Sequence, residues 1–275
     1  MKEIVLVIGL GEVGMSIYEL SQESGVYDVF GFDQKIDLRQ DIPAKVDIIH
    51  ICIPCSHVEF FVNSVVDYVL SYQPKLLIID STVPPRTTEI VSKRCNCMMV
   101  HSPVLGTHKD RETMKVEMKF YGKLVGGITP ESTIAATDHF NKLGIPTRVN
   151  KSPLETEITK LYCTAYYGAL IALSQEFHRV SSKAGADFSE ITGNICYLHE
   201  KSYVKPPVYP DVIGGHCVMP NIELVLSFYD SELLKAIFDS NEKRKVDILN
   251  PKVSDEIAKV KAVVEGFMKR FRRKA

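Results

Sequence analysis

The sequence predicts an α/β fold: a doubly wound parallel sheet over residues 1–150, followed by an all-α domain built on a long central helix over residues 151–275. Three observations predict it. Short apolar runs alternate with amphipathic ones through the first half, the pattern of strands that alternate with helices. The first run, Ile4–Ile8, leads straight into a glycine turn, Gly9-Leu10-Gly11-Glu12-Val13-Gly14. From Pro153 to about Ala184 the texture becomes Ala-, Leu- and aromatic-rich, with no internal proline and Gly168 as its one interruption.

Each element has a local reason. Ile4–Ile8 is the first strand, the glycine turn opens the first helix, and Val29–Phe32 is the next strand. Val46–Ile53 is almost continuously apolar, as a strand buried on both faces should be. Ser56 is the expected N-cap of an amphipathic helix over Val58–Tyr72. Leu76–Asp80 is the next strand, and Pro84-Pro85 introduces a helix over Thr87–Lys93. Met98–His101 and Lys119–Val125 read as strands; Thr129-Pro130-Glu131 caps a helix over Ser132–Leu143, and Ile145–Val149 closes the series. The long helix after Pro153 is apolar enough to need burial on more than one side, against the first domain and against a second subunit. A helix over Asp187–Leu198, a proline- and glycine-rich loop over Val204–Pro220, and two amphipathic helices, Ile222–Glu242 and Val253–Arg270, complete the chain.

Composition excludes several classes. Hydrophobic residues make up 45% of the chain and charged residues 24%, with a formal net charge of −1. No bulk field therefore recruits nucleic acid or a membrane surface. The basic ending Lys269–Lys274 suits a solvated last helical turn, where cations meet the negative end of the dipole. No apolar run has the length of a membrane span, and Met1-Lys2-Glu3 enters a strand rather than a signal-peptide core, so a cytoplasmic protein is expected. Seven cysteines, an odd number, fit a reducing compartment. The pairs Cys52/Cys55 and Cys95/Cys97 read as small buried hydrophobes, and no metal site is expected.

The glycine turn carries chemistry. Gly9 permits the tight turn, Gly11 lets backbone approach a pyrophosphate, and Gly14 lets the helix pack close to the strand. The helix N-terminus, with Glu12 and Val13, then presents unpaired N–H groups to the phosphates. Asp33 ends the second strand about 20 residues past the last glycine, the spacing of a Rossmann dinucleotide fingerprint. It can accept hydrogen bonds from ribose hydroxyls and would repel a 2′-phosphate, so the expected cofactor is NAD rather than NADP.

A second segment, Gly214-Gly215-His216-Cys217-Val218-Met219-Pro220-Asn221, places a thiol in a glycine-rich loop. There it is either an incidental thiol or, beside a positive neighbour, a nucleophile. This block resembles the active-site segment of the UDP-glucose/GDP-mannose dehydrogenase family, a relative of the 6-phosphogluconate/β-hydroxyacid dehydrogenases. Other segments are similar to that family in the same order. They are Gly9–Gly14, the strand end Ile51-Cys52-Ile53-Pro54, the stretch Asp80–Thr88 (close to STVP-x-GTT), Lys123–Gly127, Glu157–Leu161, and Gln175-Glu176. Together they span about residues 3–221.

The resemblance implies oxidation of a sugar or sugar-nucleotide alcohol to the acid, in two steps that each reduce NAD. It implies Cys217 as the nucleophile that forms a thioester, Lys160 as the cation that stabilises the oxyanion, and Thr82 near cofactor and reacting water. Pro54, Ser81 and Thr82 would border the cofactor; Ser102, His101, Thr164, His216 and Asn221 would face the substrate. A homodimer through the long helix is implied as well.

Several residues depart from that pattern. Thr164 stands where the family has asparagine, Asn221 where it has aspartate, and Val104 falls in the segment that normally supplies a glutamate. Two helices after Cys217 do not accommodate the family's C-terminal nucleotide-sugar-binding domain, so a shortened member is expected. Ser102-Pro103-Val104-Leu105-Gly106 instead resembles the A-P-V-S-G stretch of the β-hydroxyacid dehydrogenases. That resemblance implies an alternative, a two-electron oxidation in which Lys160 assists proton transfer. A third reading is an NAD-binding module or sensor without catalysis, motivated by Val104, Thr164 and Asn221. Three histidines, His101, His108 and His216, are placed near the cleft as candidate acid–base groups, each weighed against a hydrogen-bonded loop role.

Overall fold

The computed structural model describes residues 2–36, 38, 41–105, 111–163, 180, 183–186, 191, 211–213, 230–255, 257–258 and 262. The chain divides into two compact units, Met1–Tyr167 and Gly168–Ala275. In the first, the elements run β1 (Glu3–Ile8), α1 (Glu12–Glu23), β2 (Tyr27–Phe32), β3 (Ile48–Ile51), α2 (Val58–Tyr72), β4 (Leu76–Ile79), α3 (Thr87–Ser92), β5 (Met98–His101), α4 (Arg111–Tyr121), β6 (Lys123–Gly127), α5 (Pro130–Lys142) and β7 (Thr147–Asn150). A further helix, α6, occupies residues 153–163.

The strands form one seven-stranded sheet in the order β2-β1-β3-β4-β5-β6-β7. Chain order reverses between β1 and β3, so a crevice opens beyond their carboxyl ends, where open sheets of this kind take ligands. Side chains alternate across the pleat. Val5, Val7, Ile48, Leu76, Ile78, Val100 and Val125 pack on one face with α1, α4 and α5 through Ile17, Leu20, Met114, Met118 and Phe140. Leu6, Ile8, Ile49, Ile51, Leu77, Ile79 and Met99 pack on the other with α2 and α3 through Phe61, Val62, Val65 and Val91. A sheet covered on both faces needs apolar residues at successive strand positions, and β4 supplies them as Leu-Leu-Ile-Ile.

Five expectations require correction. The sheet is not wholly parallel: β6 runs antiparallel to β5, with Val100 opposite Gly127 and His101 opposite Gly126. Burial patterns specify that a strand exists, not its direction. Lys119 belongs to α4, which the sequence reading missed; the strand starts only after Gly122, whose φ of +71° turns the chain from helix to strand. The N-cap of α2 is His57, not Ser56, and no side chain caps it. In the second unit the helix is not continuous from Ile222 to Glu242. It runs over Glu232–Asp247 (α7), because the Ser231 hydroxyl accepts from the Leu234 N–H and starts it there. Thr129 does cap α5, in a reciprocal capping box with Ser132. Pro130 at the first helical position sets the start of that helix two residues earlier than expected.

Within the second unit Asn241 of α7 ties down Ile213, accepting from its N–H at 2.8 Å and donating to its carbonyl at 3.2 Å. The middle of the helix expected from Pro153 to about Ala184, most of the helix expected over Asp187–Leu198, most of the loop expected over Val204–Pro220, most of the helix expected over Val253–Arg270 and the basic ending lie outside the described residues. No described helix is long and apolar enough to cross a membrane.

Candidate functional site

The fingerprint glycines occupy the geometry their chemistry requires. Gly9 has φ +88°, and a Cβ there would lie 2.7 Å from the Cys52 carbonyl oxygen. A Cβ on Gly14 would lie 1.8 Å from the Gly9 carbonyl oxygen, so only glycine lets α1 start this close to β1. Gly11 is different: a Cβ there meets nothing within 4 Å. Its place in the fingerprint is therefore not set by packing within the protein, which is what a backbone position left open to a ligand requires.

Asp33, at the end of β2, anchors this loop. Leu10 N–H donates to its Oδ2 at 2.8 Å and Lys35 N–H to its Oδ1 at 2.7 Å. The Lys35 and Leu10 backbone bonds hold the carboxyl below its ordinary pKa, so it is ionised at neutral pH. An ionised carboxylate only accepts hydrogen bonds, which is the role a ribose hydroxyl requires of it.

A cleft of about 360 Å³ lies against the carboxyl ends of the central strands. It collects Val13 from α1, Cys52, Ile53 and Pro54 from the end of β3, Asp80, Ser81 and Thr82 from the end of β4, Val104 from beyond β5, and Lys160 from α6. Thr82 is exposed there. The Ser81 hydroxyl donates to the Ile53 carbonyl at 2.6 Å and so pins the chain just past β3, which leaves its oxygen only as an acceptor. Lys160 Nζ donates to the Val104 carbonyl at 2.7 Å. The backbone of residue 104 thus orients the ammonium whatever the side chain. Burial, and then the charge of Lys123, lowers the pKa of Lys160.

Lys160 is placed by Glu157, one turn earlier. That fully buried carboxylate accepts from Arg86 N–H at 2.6 Å, Thr88 N–H at 2.8 Å and the Thr88 hydroxyl at 2.7 Å. It fastens α6 to the loop that carries Thr82. Arg86 holds φ +72°, a left-handed conformation that favours glycine, at the position where the STVP-x-GTT pattern has glycine.

His101 does not reach the cleft as an acid–base group. It is fully buried, with Nε2 3.1 Å from the Ser81 carbonyl and Nδ1 2.7 Å from the Thr156 hydroxyl. A carbonyl only accepts, so the proton is on Nε2 and Nδ1 accepts from Thr156. Burial drops its pKa to about 4. His101 therefore stays neutral and braces the loop after β4 against α6. Ser102 is also buried, and its hydroxyl has no hydrogen-bond partner among the described residues. Cys52, Cys55, Cys95 and Cys97 pack at the margins of the apolar layers, and burial pushes the Cys97 thiol up to about 12. Thr164, Gln175, Glu176, His108, His216, Cys217 and Asn221 lie outside the described residues.

Sequence reasoning assigned no role to Glu157, Asp80 or Lys123. The available signal was polar residues at in-phase positions of apolar strands: His50 within Ile48–Ile51, and Lys123 opening Lys123–Gly127.

No family profile matches the chain. Two curated relatives do, both named UDP-N-acetyl-D-mannosamine dehydrogenase. The one from Methanocaldococcus jannaschii is 24% identical over 197 residues, which covers 65% of this chain and 44% of that protein. The one from Methanococcus vannielii is 22% identical over 316 aligned positions, covering 95% of this chain and 71% of that protein. The chain thus spans less than half of the first relative's length. Among solved structures, GDP-mannose dehydrogenase from Pseudomonas aeruginosa superimposes with a TM-score of 0.66 at 15% identity, over 91% of this chain and 71% of that one. A reductive aminase from Aspergillus terreus in complex with NADPH superimposes with a TM-score of 0.58 at 10% identity, over 90% of this chain and 95% of that one. These likenesses establish a shared fold.

Proposed function

We propose that this chain, a relative of the UDP-glucose/GDP-mannose dehydrogenases, is an NAD-dependent oxidoreductase that oxidises an alcohol of a sugar or sugar nucleotide. One observation carries the reading. Val13, inside the Gly9–Gly14 fingerprint, lines the same cleft as Thr82 and Lys160, so the dinucleotide cradle and a chemically equipped cleft meet at the carboxyl ends of the central strands.

In this reading Gly9, Gly11, Glu12, Val13 and Gly14 receive the pyrophosphate at the N-terminus of α1. Asp33 accepts from the adenosine ribose and excludes a 2′-phosphate. Pro54, Ser81 and Thr82 shape the far wall. When bound, NAD supplies the hydride acceptor. Lys160, its pKa lowered by burial, holds or moves the proton of the reacting hydroxyl and faces the negative charge that develops on oxygen. Cys217 is the nucleophile of a thioester route to the acid. Thr164, His216 and Asn221 contact substrate, while the buried Ser102 and His101 support the wall behind them. We further infer a cytoplasmic enzyme whose copies pair through the long helix, with residues 1–150 as the cofactor domain and 151–275 as the substrate and dimerisation domain.

Counting NADH formed per substrate tests this route. The thioester reading predicts two, and Cys217→Ser should stop acid formation. One NADH per substrate, with Cys217→Ser unchanged, would instead establish the β-hydroxyacid type of reaction, which Val104 and the Ser102–Gly106 stretch favour.

A further inference from the structure

Five ionisable side chains run in single file through the layer between the sheet and α5. Lys123 Nζ donates to Asp80 Oδ1 at 2.6 Å, and His50 Nδ1 donates to Asp80 Oδ2 at 2.7 Å. His50 Nε2 lies 2.9 Å from His139 Nε2, and His139 Nδ1 lies 2.9 Å from the Tyr27 hydroxyl. None of the five is more than 4% exposed. His50, Asp80 and Lys123 take the pleat positions that Ile48, Ile78 and Val125 occupy on the same face. Apolar side chains of like volume would fill that layer without the cost of desolvating charges. The fold alone does not call for this file.

Its two ends differ. Asp80 borders the cleft that holds Thr82 and Lys160, with its buried carboxylate accepting from the cleft-lining Cys52 thiol at 3.9 Å. Tyr27 opens β2 beside Lys142, a half-exposed lysine paired with Glu3. The proton count along the file is set by chemistry. A carboxylate only accepts, so His50 Nδ1 carries a proton. The contact between the two Nε2 atoms holds one proton, which either nitrogen can carry. With His50 neutral, that proton sits on His139 Nε2, and His139 Nδ1 accepts from Tyr27. Every bond then points toward Asp80.

We propose that Tyr27, His139, His50 and Asp80 form a proton relay between the protein surface beside Lys142 and the cleft. One proton from water reaches the Tyr27 oxygen as the Tyr27 proton passes to His139 Nδ1. The His139 Nε2 proton passes to His50 Nε2, and the His50 Nδ1 proton passes to Asp80 Oδ2. One proton enters, Asp80 is neutralised, and no electrons move. The reverse sequence returns it. The relay's use rests on the proposed dehydrogenase activity, because alcohol oxidation by NAD releases one proton per hydride and reduction takes one up. Lys123 does not pass protons; it holds Asp80 in place.

The test is exchange of the His50 Nδ1 proton with solvent, read by nitrogen-15 NMR on the full chain without substrate. Tyr27→Phe keeps the ring but has no hydroxyl proton to pass. Exchange is expected to slow by about tenfold or more in that variant, while the backbone amides of β3 and β4 exchange as before. Equal exchange in both proteins overturns the relay. Should Tyr27→Phe speed the β3 and β4 amides, His139→Gln replaces it, with slowed and unchanged exchange read the same way. Absence of NADH formation would count against the dehydrogenase reading alone, since the exchange measurement needs no turnover.

Discussion

Lys123 and Asp80 form a 2.6 Å ion pair whose side chains are 1% and 0% exposed. Burial by itself would raise the Asp80 pKa, yet the Lys123 charge and the His50 hydrogen bond hold it below the ordinary value. The pair lies behind the cleft, and each partner is tolerable only because the other is there. Lys123→Met should therefore cost about 3–5 kcal/mol of stability, measured by chemical denaturation, because it leaves a buried carboxylate unpaired. A double Lys123→Met, Asp80→Leu variant should recover much of that loss.

The three fingerprint glycines should separate by phenotype. Gly14→Ala places a methyl group 1.8 Å from the Gly9 carbonyl oxygen and should destabilise the first unit outright. Gly9→Ala combines a clash with a positive φ, which costs on the order of 1–3 kcal/mol. Gly11→Ala meets no atom, so its melting temperature should match the parent while its affinity for NAD falls. Thermal melts and an NAD titration on the three variants check this.

Glu157 acts on Lys160 through the helix they share. Glu157→Gln turns one acceptor into a donor that faces N–H and O–H donors, and should cost about 1–3 kcal/mol. Its amide-exchange signature should appear at Thr88 and in α6, and turnover should fall although no ligand touches the residue. Arg86→Gly, which removes a left-handed non-glycine residue, should instead gain about 1 kcal/mol.

Acid should weaken the protein through His101. Its folded pKa is about 4 against an ordinary 6.5, so between those values the unfolded chain binds a proton that the folded one refuses. Stability is full above about pH 6.5 and falls by up to about 1.4 kcal/mol per unit as pH drops toward 4. His139, lowered further by burial, adds to the same trend. His101→Gln should flatten the dependence of denaturation midpoint on pH over that window.

What could be read from the sequence follows from the range of the interactions. Gly9, Gly11, Gly14 and Asp33 form a local pattern, as does the Thr129 cap of α5, and the structure shows both in place. Apolar alternation located the strands to within a few residues. It carried no information on direction, which is why antiparallel β6 was not foreseen, and α4 was hidden because the chain passes from helix to strand at one residue, Gly122. The partners of His101, Asp80 and Glu157 lie 55, 43 and 71 residues away in the chain, and no spacing rule reaches that far. Polar residues inside apolar strands, such as His50 and Lys123, are the trace such networks leave.

In the proposed function the dinucleotide cradle and Lys160 act together in one reaction. It is tested most directly by NADH absorbance with a panel of sugar nucleotides, comparing the parent with Lys160→Ala. NADH should form with at least one sugar nucleotide, and the rate should fall by about a hundredfold or more in Lys160→Ala. No NADH with any substrate, or an undiminished rate in Lys160→Ala, would contradict it.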